Sequence, residues 1–298
     1  MRSEIETDGT IAIERSKFSD YVTLTKPELT FLSAVTALGG FYLAVNGSIP
    51  IATMLHTLFG TMLVGGGAGA LNQLIERDYD AMMRRTENRP LPAGRLTPTA
   101  VLLFGMLMSV AGIIELTVFT NLLTGFLAVV TLVTYLFLYT PLKRITWLST
   151  IIGGIPGALP PMMGWTAARN EITIEAWILF GILFCWQMPH FFSLAWMYRK
   201  DYERAGYPML TVIDSEGTRT SLQILFFCLG LIPVSLMLTM YGGLGWIYFV
   251  GALIVGCGFL YYGIQLLITK SNADARKMFF ASLLYLPALL AFMVIDKL

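Results

Sequence analysis

The sequence predicts an all-α, polytopic membrane protein with nine transmembrane helices of the helical-bundle type. Three observations carry that prediction. The 298 residues are 56% hydrophobic and 13% charged, which is too apolar for a soluble globular chain. Apolar stretches near the roughly 20 residues that a spanning helix needs recur nine times. The cations respect an alternation: eighteen Lys and Arg fall in the N-terminal segment and the even-numbered linkers, and only Arg169 and Lys297 fall opposite. That asymmetry places the N-terminus in the cytoplasm and the C-terminus outside a cell inner (cytoplasmic) membrane.

The elements follow in order. Residues 1–20 hold five acids and three bases with little apolar content, so residues 1–25 are expected to form a flexible cytoplasmic tail. No removable signal peptide is expected. Residues 26–298 then form a single nine-helix domain. Its spans are expected at 28–46, 51–72, 98–119, 122–140, 148–167, 174–197, 219–240, 244–268 and 278–296. The linkers after spans one, three and seven are short and uncharged, whereas those after spans two, four, six and eight carry the charge. Cys185, Cys228 and Cys257 lie far apart in apolar runs without CxxC spacing. They read as buried helix residues, not disulfides or metal ligands. A net charge of +1 offers no basic surface for nucleic acid.

The stretch Asn72–Gly94, NQLIERDYDAMMRRTENRPLPAG, breaks the apolar pattern. If the second span continues as helix, Asn72, Glu76 and Asp80 stand at i, i+4 and i+8, along one face. Such oxygen ligands suit Mg²⁺ held jointly with substrate phosphates. The arginines Arg77, Arg84, Arg85 and Arg89 would meet the phosphates. The plainer reading is a charged loop between two membrane helices, and spacing alone leaves both open.

Two more polar clusters end spans on the same side: Tyr139–Arg144 after the fourth and Tyr198–Tyr202 after the sixth. Together the three clusters suit a substrate with a diphosphate head at the rim and an apolar tail between helices. Ionisation there would leave an allylic cation, which needs a dry, aromatic wall. Phe180, Phe184, Trp186, Phe191, Phe192 and Trp196 are candidates, although most such rings simply pack. His190 follows Pro189, lies about three turns deeper than Asp201, and is either a contact for a cofactor or substrate or a core histidine. His56 reads as a hydrogen-bonded core residue. Glu115, towards the outer end of span three, reads as structural or interfacial.

These residues carry a resemblance. Asn72-x-x-x-Glu76-x-x-x-Asp80 resembles the NxxxDxxxD motif of the UbiA-type intramembrane prenyltransferases, with Glu in place of the first Asp. ERDYDAMMRRTENRPLPAG, YTPLKRITWLSTIIGGIPGALPPMMGW, FCWQMPHFFSLAW and YRKDYERAGYPMLTV are similar to the heme-farnesylating branch. The resemblance covers Lys26 to about Val212. It implies farnesyl transfer from farnesyl diphosphate to a vinyl group of heme B, with addition of water, giving heme O and diphosphate.

By position, the resemblance implies that Asn72, Glu76, Asp80 and Asp201 hold Mg²⁺, largely through diphosphate, and carry catalysis. Ala205 stands where a second DxxxD motif would end. It further implies Lys26, Tyr139, Lys143 and Lys200 as diphosphate contacts, with Arg77, Arg84 and Arg89 helping, and His190 as a heme contact. Gly153, Gly154, Gly157 and Gly164, with Pro160 and Pro161, read as helix-packing residues. Partners implied are heme B, farnesyl diphosphate, membrane lipid, and a heme A synthase or terminal oxidase downstream. Two rival readings remain: a prenyltransferase of the same fold with another aromatic acceptor, and a non-enzymatic heme carrier.

Overall fold

In hydrocarbon a chain must satisfy its own backbone, so apolar stretches of this length fold as helices. The computed structural model describes residues 16–297, and among them there is helix and no strand. The short α1 (Lys17–Leu24) leads into α2 (Pro27–Ala44), α3 (Ile51–Asp80), α4 (Pro98–Phe119) and α5 (Leu122–Val133). A π-helical stretch (Thr134–Tyr139) and α6 (Thr140–Leu142) extend α5 to the rim. Then come α7 (Ser149–Arg169), α8 (Ile174–Met197), the rim helices α9 (Arg199–Arg204) and α10 (Leu210–Ile213), and α11 (Thr218–Tyr241), α12 (Trp246–Thr269) and α13 (Asn272–Lys297).

Local chemistry sets the ends. Thr97 and Asn121 cap α4 and α5 by accepting from the backbone N–H groups of Ala100 and Thr124, and Pro98 sits in the first turn of α4, where its missing N–H costs nothing. Asn170 and Lys270 take the left-handed conformation that closes α7 and α12. At the rim, Thr86 Oγ1 donates to the Asp80 carbonyl at 2.8 Å, which ends α3 and turns the chain back.

Seven of the described helical segments are long and apolar enough to cross a membrane. Of the nine expected spans, the two that fall short are α2 and α7, which are diluted by Pro, Gly, Ser and Thr. They pack on each other, and their contact is closer than any side chain would allow. A Cβ at Gly40 would stand 2.0 Å from the Pro161 carbonyl oxygen, and one at Gly164 would stand 1.7 Å from the Ala37 oxygen. Beyond them, α3 packs on α4, α4 on α5 and α5 on α7, while α8, α11, α12 and α13 form the other flank, joined through α7 and α8. Leu103, Leu107 and Ile114 of α4 and Phe226 and Leu229 of α11 face outward, as a lipid-facing surface requires.

Several expectations are corrected. Residues 1–15 of the expected tail lie outside the described residues, but 17–24 are not a loose tail. They form a helix whose Leu24 is fully buried and whose Asp20 is held by Arg95 Nε at 2.9 Å. The second span does not stop at 72; it runs as one helix to Asp80. The last begins at Asn272, six residues early. At the end opposite the charged loops, Arg169 Nε donates to the Ala44 carbonyl at 2.7 Å, and Lys297 Nζ donates to Leu43 and Val45 at 2.9 and 2.6 Å. These two cations cap the C-terminus of α2.

Candidate active site

A cavity of about 730 Å³ opens at the charged end, walled by α2, α3, the π-helical stretch, α7 and α8. Along α3 it is lined from Asp80 to Thr61, about 28 Å at 1.5 Å per residue. Its depth is made by Thr61, Val64, Ala68, Thr131, Pro160 and Met163, and its mouth by Lys26, Asn72, Glu76, Asp80, Arg89, Tyr139 and Lys143.

Because α3 continues to Asp80, Asn72, Glu76 and Asp80 lie on one buried face, 1%, 4% and 1% exposed. Each meets a cation brought from another segment. Lys26 Nζ donates to Asn72 Oδ1 at 2.8 Å, Lys143 Nζ to Glu76 Oε1 at 2.8 Å, and Arg89 Nη1 to Asp80 Oδ2 at 2.7 Å. A buried carboxylate without such a partner would cost several kcal/mol. Burial holds the Lys26 amine down near pKa 7, with Arg89 and Lys143 adding repulsion. For Lys143 burial pulls the same way, but the Glu76 carboxylate wins and lifts it well above the usual lysine range.

Backbone geometry serves these contacts. Lys26 has φ +47°, a left-handed conformation that is costly outside glycine, at the corner between α1 and α2. In the π-helical stretch, Tyr135 and Tyr139 come onto one side with ring centroids 5.4 Å apart, and both line the cavity. In the widened turn the Tyr135 carbonyl accepts both the Thr140 N–H and, at 2.8 Å, the Thr140 Oγ1 hydroxyl, and Thr140 Oγ1 in turn accepts from Asn72 Nδ2 at 3.2 Å. Local π-helix of this kind concentrates at functional sites.

A magnesium ion fits this donor set. The buried oxygen Asp80 Oδ1 has no hydrogen-bond partner while Oδ2 takes Arg89. The neighbouring donors are hard oxygens, and no group of three or more His, Cys, Asp or Glu among the described residues could hold a metal alone. A cation here therefore needs oxygens from the substrate, the habit of Mg²⁺ at phosphates.

Not every expected residue reaches the cavity. Arg77 pairs with Asp78 at the surface, at 3.4 Å, and Arg84 and Lys200 are exposed. Asp201 is also absent from the lining. On α9, Tyr202 faces the cavity; Asp201, one residue and about 100° away, faces Arg204 at 3.5 Å.

His190 is the largest correction. Its Nδ1 bonds Ser282 Oγ of α13 at 2.7 Å, and its ring stacks between Trp186 and Phe279 at 5.3 and 4.8 Å. It joins two helices and does not line the cavity; the adjacent Phe191 does. His56 bonds Glu115 at 2.7 Å and stacks on Phe119, so both tie α3 to α4. Tyr135, Gln187 and Tyr207 line the cavity unforeseen, and Tyr202 of the Tyr198–Tyr202 cluster lines it as well. Gln187 had a signal, an amide inside an apolar span; Tyr207, on a loop, had none.

The chain matches the UbiA prenyltransferase family over residues 33–284. It belongs to that family. Two of its relatives are the protoheme IX farnesyltransferases of Solibacter usitatus and Salinibacter ruber, 45% and 43% identical, each alignment covering 93% of this chain and 98% of the relative. Among solved structures the fold resembles a digeranylgeranylglyceryl phosphate synthase, with a TM-score of 0.79 at 17% identity, covering 94% of this chain and 99% of that one. It also resembles a UbiA homologue of Archaeoglobus fulgidus bound to DMAPP and Mg²⁺, with a TM-score of 0.63 at 15% identity, covering 93% and 99%. At such identities these two structures speak for the fold alone.

Proposed function

We propose that this UbiA family member transfers the farnesyl group of farnesyl diphosphate to a vinyl group of heme B, with addition of water, giving heme O and diphosphate. The observation that carries the acceptor is the 45% and 43% identity, over nearly the full length, with protoheme IX farnesyltransferases. The cavity supports the donor: its mouth is charged and its depth apolar.

Lys26, Lys143 and Arg89 bind the diphosphate, and Tyr139 bounds it. Asn72, Glu76 and Asp80 would hold Mg²⁺ together with diphosphate oxygens. Bound there, the metal supplies charge neutralisation that makes diphosphate a better leaving group. As diphosphate enters, each cation exchanges a protein oxygen for a phosphate oxygen, so the carboxylates are released at the moment they are needed. The farnesyl chain runs down the apolar depth, where excluded water protects the allylic cation.

The even-linker cations support a mouth on the cytoplasmic side of the inner membrane, where farnesyl diphosphate is soluble. Heme O would pass to a heme A synthase or terminal oxidase.

The test is protein in nanodiscs with heme B, farnesyl diphosphate and Mg²⁺, read by product mass. Heme O that disappears with EDTA is the expected outcome. Diphosphate release without farnesylated heme would overturn the acceptor.

A further inference from the structure

Gln187 is a polar side chain that the diphosphate site does not use. It is 3% exposed, sits on α8, and lines the cavity beside Gly153, Pro156, Gly157 and Pro160 of α7. Its Nε2 donates to the Gly154 carbonyl at 2.7 Å. A carbonyl only accepts, so this bond fixes which way the amide lies. Its Oε1 is thereby turned to Gly157, 2.2 Å from where a Cβ would stand. Only glycine leaves that space. No described donor reaches Oε1.

The α7 wall supplies a second, independent observation. Pro156, Pro160 and Pro161 lie inside the helix and have no N–H. The carbonyls of Ile152, Pro156 and Gly157 therefore lose the helical donors four residues on. The unpartnered amide oxygen thus faces the stretch of α7 in which carbonyls lack helical donors, and Pro156 and Gly157 of that stretch line the cavity beside Gln187. A set of acceptors without donors suits a small molecule carrying two protons, and water is the one that fits. Gly154, which holds the amide, follows Gly153, whose Cβ position stands 2.5 Å from the Tyr139 ring, so the place adjoins the Tyr139 side of the mouth and the diphosphate is within reach as a base.

We propose that Gln187 Oε1 binds and aims the water that hydroxylates the product. This rests on the farnesyl-to-heme reading above. The carbon–oxygen bond of farnesyl diphosphate breaks, and diphosphate leaves with the electron pair. The vinyl π electrons form the new carbon–carbon bond, which leaves a cation on the carbon next to the porphyrin. A lone pair of the held water closes on that carbon, and the surplus proton passes to diphosphate. Without an aimed water the same cation loses a proton from the neighbouring methylene to the same base. The product is then an alkene, lighter than heme O by one water.

The test compares wild type, Gln187→Met and Gln187→Glu in nanodiscs with heme B, farnesyl diphosphate and Mg²⁺, weighing all farnesylated hemes. Methionine fills the space without an acceptor. A buried, protonated glutamate keeps both the donor to Gly154 and the carbonyl towards Gly157. The ratio of hydroxylated product to alkene should fall about tenfold in Gln187→Met, as loss of one ~1.4 kcal/mol hydrogen bond to the attacking water gives, and return in Gln187→Glu. A merely structural role would change the amount of product and leave the ratio alone. An unchanged ratio in Gln187→Met, or the same ratio in both variants, overturns the proposal while the parent reaction stands. Absence of farnesylated heme from wild-type protein overturns both.

Discussion

Asp80 has one oxygen tied to Arg89 and one without a partner, and that asymmetry sets the clearest single-residue expectation. In Asp80→Asn the amide can still lie beside Arg89, so the protein inserts and unfolds normally. Heme O formation falls at least about a hundredfold, ~2.7 kcal/mol of transition-state stabilisation. Turnover with a thermal melt beside it checks this. His190→Ala is expected to behave in the opposite way. Losing the Ser282 bond and two stacked neighbours should cost about 2–3 kcal/mol of stability. Affinities for heme and farnesyl diphosphate should stay in proportion. A selective loss of heme affinity would return His190 to the site. The sequence placed Asn72, Glu76 and Asp80 on one face because helical period alone decides that. It could not orient His190 or Asp201, because a side chain's azimuth depends on which helix packs alongside. Ser282 lies 92 residues from His190.

Helices differ in how much of their neighbourhood they declare. α3 was legible as a span, and its continuation to Asp80 follows from having no Gly or Pro after Gly69. α2 and α7 were legible as helices, but their mutual burial was not, because apolarity is the signal for a span and theirs is diluted by the small residues that let them touch. Gly164 carries the strictest demand, since a Cβ there would overlap the Ala37 carbonyl. Gly164→Val should therefore separate the two helices. It should lower stability by at least about 2 kcal/mol, the usual cost of overpacking, and reduce recovery of folded protein. Fluorescence-detected chromatography and melting temperature measure both. The π-helical stretch was not foreseeable, because nothing in TYLFLY distinguishes a widened turn from an ordinary one.

For the molecule as a whole, the cation count makes a prediction about sidedness. Single cysteines placed at Gly94 and at Asn170, in a background with Cys185, Cys228 and Cys257 replaced, should label differently with an impermeant maleimide. In intact cells Asn170→Cys should react and Gly94→Cys should not; lysis should expose both. The reverse pattern would invert the chain. The two cations that break the count have a local reason, since Arg169 and Lys297 are occupied with the end of α2.

That contact also ties synthesis to structure. Lys297 reaches a carbonyl 252 positions earlier in the chain, so α2 waits for α13 to leave the ribosome before the second of its two capping cations arrives. A nascent chain lacking only its final residues would carry a frayed second helix beside the cavity. Shortened or C-terminally fused versions should thus betray themselves first at the opposite end of the sequence, where proteases that sense loose helix ends would find them.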